Sequence, residues 1–246
     1  MIWLSEKIEF PDYKTANKDG VIALGGDLTP ERLIHAYQQG IFPWYSENEP
    51  IVWYCPPERM VLFPKELKIS KSMQQVLRKN EFIITENEAF EDVIFHCKNT
   101  ARKDGFGTWI TDEMEQAYIE LHKQGYAKSI EIWLPDIDYR GVNCDKKVLV
   151  AGLYGIEIGS VFCGESMFTK VSNASKLAFI YLVQSNLYKL IDCQVYNDYL
   201  ASLGAREISR NEFLNILVTF SELFLNLNVR FSKIIAEENI SKRLSS

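Results

Sequence analysis

Two short segments in the C-terminal half of the chain hold residue types that could do chemistry. One is Phe162-Cys163-Gly164-Glu165-Ser166-Met167-Phe168, the other Leu190-Ile191-Asp192-Cys193-Gln194. Both read as strands, yet each sets acidic or amide groups among apolar neighbours. A carboxylate in such surroundings is costly unless it is paired or used. Asp192 and Gln194 lie two residues apart, so on a regular strand they share a face. By the same alternation Glu165 shares a face with Val161, Cys163 and Met167, while Phe162, Ser166 and Phe168 face the other way. Gly164 is where a bulge would break that alternation. The helical stretch between the two segments suggests neighbouring strands whose polar groups converge. Two carboxylates and an amide in one place can activate an amine and hold a carbonyl. They can equally tie two strands together, and residue chemistry alone leaves both readings open.

Other chemistries have less behind them. A carboxylate pair also suits glycoside hydrolysis, but nothing else in the sequence supports it. Cys163 and Cys193 have no neighbouring histidine, so packing is the expected role for both. His35, His96 and His122 are isolated on predicted helices. No metal-ligand spacing, Walker loop or G-x-S-x-G motif is present, and no metal is expected. Arg102-Lys103-Asp104-Gly105-Phe106-Gly107 fits the R-x-x-G-x-G phosphate loop of acyl-CoA N-acyltransferases. That loop follows the central hairpin strands in those enzymes, whereas here it precedes them, so it reads as a flexible loop. Trp44, Trp109, Phe162 and Phe168 would suit either a core or an apolar pocket.

The elements that must position these residues are legible in outline. Thr29 and Pro30 can open a helix with Leu33, Ile34, Ala36 and Tyr37 on its apolar face and Gly40 at its end. The proline-rich stretch from Pro43 to Pro57 is the best boundary, dividing a small N-terminal unit (residues 1–58) from the rest (59–246). Ser70 opens a helix with Met73, Val76 and Leu77 on one side and Lys71, Gln74, Gln75 and Arg78 on the other. The stretch from Lys65 to Lys79 is the most basic of the chain, and by itself it reads as a solvated helix face. Residues 88–98 and 111–124 are further amphipathic helices. Strand-like runs follow at 129–134, 148–158 and 160–168, with Gly159 as a turn, then a helix over 172–188 and a strand over 190–194. Leu203-Gly204-Ala205 reads as a loop, residues 211–218 as helical, and Phe220–Phe231 as an apolar run of open type. The order predicts a mixed sheet with packed helices, of α/β or α+β class.

Composition bounds the function. The 246 residues are 47% hydrophobic and 24% charged, the mix of an ordinary globular protein. No apolar run is long enough to span a membrane, and the start lacks the pattern of a secretory signal, so a cytoplasmic protein is expected. The five cysteines form no C-x-x-C pair and fit thiols in a reducing compartment. A net charge of −6 argues against nucleic-acid binding over the whole surface, though not against a local basic patch.

Several segments then point the same way: Gly25-Gly26-Asp27-Leu28, Gly40-Ile41-Phe42-Pro43-Trp44, Thr108-Trp109-Ile110, Gly152-Leu153-Tyr154-Gly155, Phe162–Phe168, Asn173-Ala174-Ser175-Lys176, Leu190–Gln194 and Ser202-Leu203-Gly204-Ala205. In this order they resemble the leucyl/phenylalanyl-tRNA–protein transferase family, bacterial aminoacyltransferases of the N-degron pathway. The resemblance runs from about residue 10 to residue 217 and rests on no single motif. It implies a small N-terminal domain joined to a GNAT-like acyltransferase domain. It implies transfer of Leu or Phe, less well Met, from aminoacyl-tRNA to an N-terminal Arg or Lys, without metal or CoA. It points to Asp192 and Gln194 as the catalytic pair with Glu165 beside them. It places Trp44, Trp109, Phe162, Ser166, Met167 and Ile191 around the aminoacyl side chain and terminal adenosine. The basic helix, with Lys71, Arg78 and Lys79, becomes a contact for the tRNA acceptor stem. Gln74 and Gln75 stand where the family often has Lys or Arg, and Leu134–Lys147 is longer than the usual turn. Lys128, and the pair Tyr54-Cys55, also depart from the family pattern. The competing expectations are an acyl-CoA N-acyltransferase and a catalytically silent RNA- or peptide-binding module.

Overall fold

The computed structural model describes residues 1–100, 109–137 and 143–220. The Arg102–Gly107 segment, Thr108, the tip of the 134–147 insertion and the apolar run beyond Phe220 lie outside the described residues. The first sheet has four strands: β1 (Ile2–Leu4), β2 (Val21–Gly25), β3 (Phe42–Pro43) and β4 (Val52–Tyr54), ordered β1-β2-β4-β3. Helix α1 (Pro30–Gln38) buries Leu33, Ala36 and Tyr37, while Ile34 is only partly covered. Thr29 stands at its N-terminus but does not cap it, because the Thr29 hydroxyl donates to Asp27 Oδ1 at 2.6 Å. Asp27 is instead a hub for Arg32, a fully buried side chain that also donates to the Ser5 and Lys7 carbonyls. Burial works against the Asp27 charge, but Arg32 and Thr29 hold its carboxyl down to about 2.

The second sheet has seven strands: β5 (Glu58–Leu62), β6 (Ile83–Glu86), β7 (Ala127–Ile137), β8 (Asn143–Ile158), β9 (Val161–Thr169), β10 (Leu190–Gln194) and β11 (Arg206–Ser209). Their order is β11-β5-β10-β9-β8-β7-β6. Every neighbouring pair is antiparallel except β9–β10. A parallel pair needs a crossover, here α5 (Ala174–Gln184), which buries Leu177, Phe179, Ile180, Leu182 and Val183. The α5 side of the sheet packs Met60, Leu62, Leu153, Phe162 and Ile191, with Met73 of α2 (Lys71–Lys79). The opposite side packs Val61, Tyr154, Cys163 and Phe168 against α1, α3 (Phe90–Asn99) and α4 (Asp112–Lys123). That second core continues into Ile22, Ala23 and Trp53 of the first sheet. The fold is the expected mixed α/β class.

Short strands account for most of what sequence periodicity missed. β1 to β6 and β11 each run two to five residues, too few for alternation to stand out among prolines, glycines and aromatics. The longer elements appear where expected, as do the Ser70 and Thr111 caps, which accept from Met73 N and Met114 N. A short helix, α6 (Asp198–Ser202), precedes the loop at Leu203-Gly204-Ala205, and residues 210–220 are helical.

Candidate active site

The parallel register sets Ile191 against Phe162 and Asp192 against Cys163, so the two polar segments do lie side by side. Each contains an irregularity that re-aims its polar residue. On β9 the pairing with β8 shifts between Tyr154–Ser166 and Gly155–Gly164, which leaves Glu165 as the extra residue. The simple alternation expected for β9 therefore fails: Cys163 and Phe168 lie in one core, Phe162 and Met167 in the other. Gly155 permits this, because a Cβ there would sit 2.3 Å from the Cys163 carbonyl oxygen and 2.6 Å from the Phe162 ring. On β10 the pairing with β5 shifts between Asp192–Val61 and Gln194–Met60, and Gln194 has φ +63. Asp192 and Gln194 thus oppose consecutive residues, and the expectation that alternation puts them on one face does not survive the bulge.

Asp192 is fully buried and bound on both oxygens. Arg59 Nε donates to Oδ1 at 2.8 Å and Nη2 to Oδ2 at 2.6 Å. The Gln194 backbone N–H also donates to Oδ1, at 2.9 Å. Arg59 is itself 1% exposed, lies between the Phe42 and Phe213 rings, each 4.6 Å away, and gives its remaining terminal nitrogen to the Gly40 carbonyl. Bidentate pairing with saturated hydrogen bonds is what permits such a pair in a dry core. The Gly40-Ile-Phe segment is accounted for in part by this: Gly40 has φ +71, and a Cβ there would meet Leu214 at 2.6 Å.

Glu165 has no cation within salt-bridge reach among the described residues. Its Oε1 accepts from Tyr37 Oη at 2.7 Å and from Gln194 Nε2 at 2.7 Å, and its Oε2 from Tyr118 Oη at 3.1 Å. The two tyrosine hydroxyls are 2.6 Å apart. Burial pushes the Glu165 carboxyl up to about 7, against the pull of the tyrosine hydroxyls, with the Asp192 charge adding to the rise. Burial and the Glu165 charge push both phenols well above their usual range, so they stay protonated donors.

Glu165, Asp192 and Gln194 border a cavity of about 640 Å³, within the range of a small-molecule site. Its walls include Glu165, Asp192 and Gln194 together with Trp44, Trp109, Phe162, Ser166, Met167 and Ile191, every residue placed there from the sequence. Trp44 is 41% exposed at the mouth, whereas Phe162 and Ile191 are buried. Cys163 and Cys193 are thiols that burial, with the Asp192 charge, pushes up and away from the thiolate form. Lys71, Arg78 and Lys79 do not line the cavity. They are exposed on the outer side of α2, opposite Met73, with Lys79 3.7 Å from Glu81.

The family profile described as leucyl/phenylalanyl-tRNA protein transferase matches residues 61–218, and that of its N-terminal domain matches residues 26–57. The chain belongs to the leucyl/phenylalanyl-tRNA–protein transferase family. A leucyl/phenylalanyl-tRNA–protein transferase of Flavobacterium johnsoniae is 55% identical over 221 residues, 88% of this chain and 99% of its own. That of Flavobacterium psychrophilum is 50% identical over 88% of this chain and 99% of its own. That of Syntrophobacter fumaroxidans is 49% identical over 87% and 88%. Membership makes the chain an aminoacyltransferase. Within this transferase, sequence reasoning missed Arg59, Tyr37 and Tyr118 as partners of the acidic groups. Arg59 had a signal, a cation beside the apolar run Met60-Val61-Leu62. The tyrosines looked like core residues, and only their hydroxyls, which seek partners when buried, hinted otherwise.

Proposed function

We propose that this enzyme transfers Leu or Phe, less well Met, from aminoacyl-tRNA to the N-terminal Arg or Lys of acceptor proteins, marking them for N-degron degradation in the cytoplasm. One observation carries the reading: two carboxyl groups and an amide meet at the wall of a cavity whose lining includes Phe162, Met167, Ile191 and the indoles of Trp44 and Trp109. The apolar part suits an unbranched-β aminoacyl side chain, with about 1–3 kcal/mol of discrimination per methylene. The polar part suits aminolysis of an ester. Asp192 has its oxygens occupied by Arg59 and the Gln194 N–H, so its contribution runs through Gln194, which it holds in the bulged conformation. Gln194 orients the attacking amine, and Glu165 faces the cationic acceptor. Ser166 lies on the cavity wall beside the aminoacyl ester. Lys71, Arg78 and Lys79 contact acceptor-stem phosphates. We further propose that the chain divides near residue 58 into a small N-terminal unit and a GNAT-like unit. The change of sheet across Cys55-Pro56-Pro57 supports this. No step calls on a metal or CoA. The test is to incubate the protein with leucyl-tRNA and a peptide beginning with Arg. A Leu–Arg product is expected, and its absence at every salt concentration would sink the reading.

A further inference from the structure

Three oxygens-to-oxygen contacts close a ring around Glu165: Tyr37 Oη to Oε1, Tyr118 Oη to Oε2, and Tyr37 Oη to Tyr118 Oη, at 2.7, 3.1 and 2.6 Å. Each contact needs one proton to be a hydrogen bond. The two phenols bring two, so with Glu165 ionised one contact holds facing lone pairs. A third proton on the carboxyl fills the ring. Moving between the states takes only rotation of O–H bonds: one phenol turns its proton onto the other and receives the carboxyl proton in its place. No heavy atom moves, and preorganisation of this kind lowers the cost of a proton transfer.

We propose that Tyr37, Tyr118 and Glu165 form a proton-accepting array in which Glu165 takes the proton of the acceptor's α-ammonium and the tyrosines are positioning residues. The proposal rests on the aminoacyl-transfer reading above. Glu165 lines the cavity, and Gln194 Nε2 joins its Oε1 to the polar wall. The ammonium gives one proton to Glu165, leaving a neutral amine. The amine nitrogen then forms the C–N bond with the ester carbonyl carbon as the C–O bond to the ribose breaks. The second amine proton goes to the departing ribose oxygen, and the proton on Glu165 leaves to water. An α-ammonium with a pKa of about 7.7–8.0 is a matched donor for a carboxyl held at about 7. The groups that face Glu165 are Tyr37 from α1, Tyr118 from α4, Cys163 from its own strand, Arg59 from β5, and Asp192 and Gln194 from β10, while Tyr154 from β8 packs its ring 5.6 Å from that of Tyr118. Arg59 is committed to Asp192, so against the rise from burial it is the two tyrosines, with Gln194, that hydrogen-bond the carboxyl.

The test is the pH dependence of single-turnover Leu transfer to an Arg-peptide by wild type, Tyr37→Phe, Tyr118→Phe and Glu165→Gln, with leucyl-tRNA affinity measured on each. Wild type should lose rate as pH falls through about 7. Both phenols pull the carboxyl down, because their hydrogen bonds to the anion outweigh the single lone-pair contact of the ionised ring, so each Phe variant should move that limb upward by about 0.5–1 pH unit. Glu165→Gln should lose roughly 10²-fold or more in rate with little change in tRNA affinity. A limb in the same place in wild type and in the folded Phe variants would overturn the proposal. So would a near-normal rate in Glu165→Gln with the limb intact. No product from wild type at any pH would instead refute the transfer reading itself.

Discussion

The two carboxyl groups at the cavity wall sit on neighbouring strands and live in opposite surroundings. Asp192 is locked by a guanidinium, with Arg59 on both oxygens and a backbone N–H beside it. Among the described residues Glu165 is held by neutral donors, two phenols and an amide. The first arrangement fixes a charge and with it a geometry. The second leaves a proton equilibrium within reach of ordinary pH. Two acidic residues read together from a sequence therefore need not share a role. One can build the site while the other titrates in it.

The comparison breaks most visibly at Arg59. Arg59→Met should cost about 3–5 kcal/mol, because it strands a buried carboxylate, and urea unfolding would read this. Adding Asp192→Leu should restore most of the stability but not the transfer activity. A double variant no more stable than Arg59→Met alone would show that Arg59 acts by packing between Phe42 and Phe213 rather than by charge. At Glu165 the effect is smaller and depends on pH. Its folded pKa of about 7 lies above the usual 4.5. The unfolded chain therefore releases this proton first, and stability falls as pH rises from about 4.5 to 7. Glu165→Gln removes that loss, so relative to wild type it should gain on the order of 2–3 kcal/mol between pH 4.5 and pH 8.5. Urea midpoints that shift in parallel for both proteins would contradict the titration of Glu165.

The smallest effect on stability is expected away from both carboxyls, on α2. Lys71→Ala with Arg78→Ala removes exposed side chains, so stability should change by less than about 0.5 kcal/mol. Binding of tRNA should weaken, and its log–log salt slope should flatten by about 2. An unchanged slope would return this helix face to ordinary solvated surface.

How much of this was legible in the sequence follows from the range of each signal. Met73, Val76 and Leu77 mark α2 by local spacing, and they pack as that spacing requires. The long strands β7 to β9 and the crossover helix α5 show themselves in the same way. The placement of β9 beside β10 was readable because a helix between two strands implies a crossover. The neutraliser of Asp192 was not readable, since Arg59 lies 133 residues away and reaches it across the β5–β10 pairing. Nor were Tyr37 and Tyr118, which come from two helices separated by 81 residues and meet only over Glu165. The bulges at Glu165 and between Asp192 and Gln194 broke the two-residue alternation where the chemistry lies, and period-two reasoning has no term for an extra residue. Family resemblance named the cavity residues, whereas it took geometry to separate the two carboxyls.

The measurement that bears most directly on this account is Leu transfer to an Arg-peptide by Asp192→Asn, with leucyl-tRNA affinity determined on the same samples. If Asp192 builds the reacting geometry through Gln194, single-turnover rate should fall by roughly 10²-fold while tRNA affinity stays near that of wild type. Equal losses in rate and affinity would contradict it and make Asp192 a residue of the fold or of tRNA binding alone.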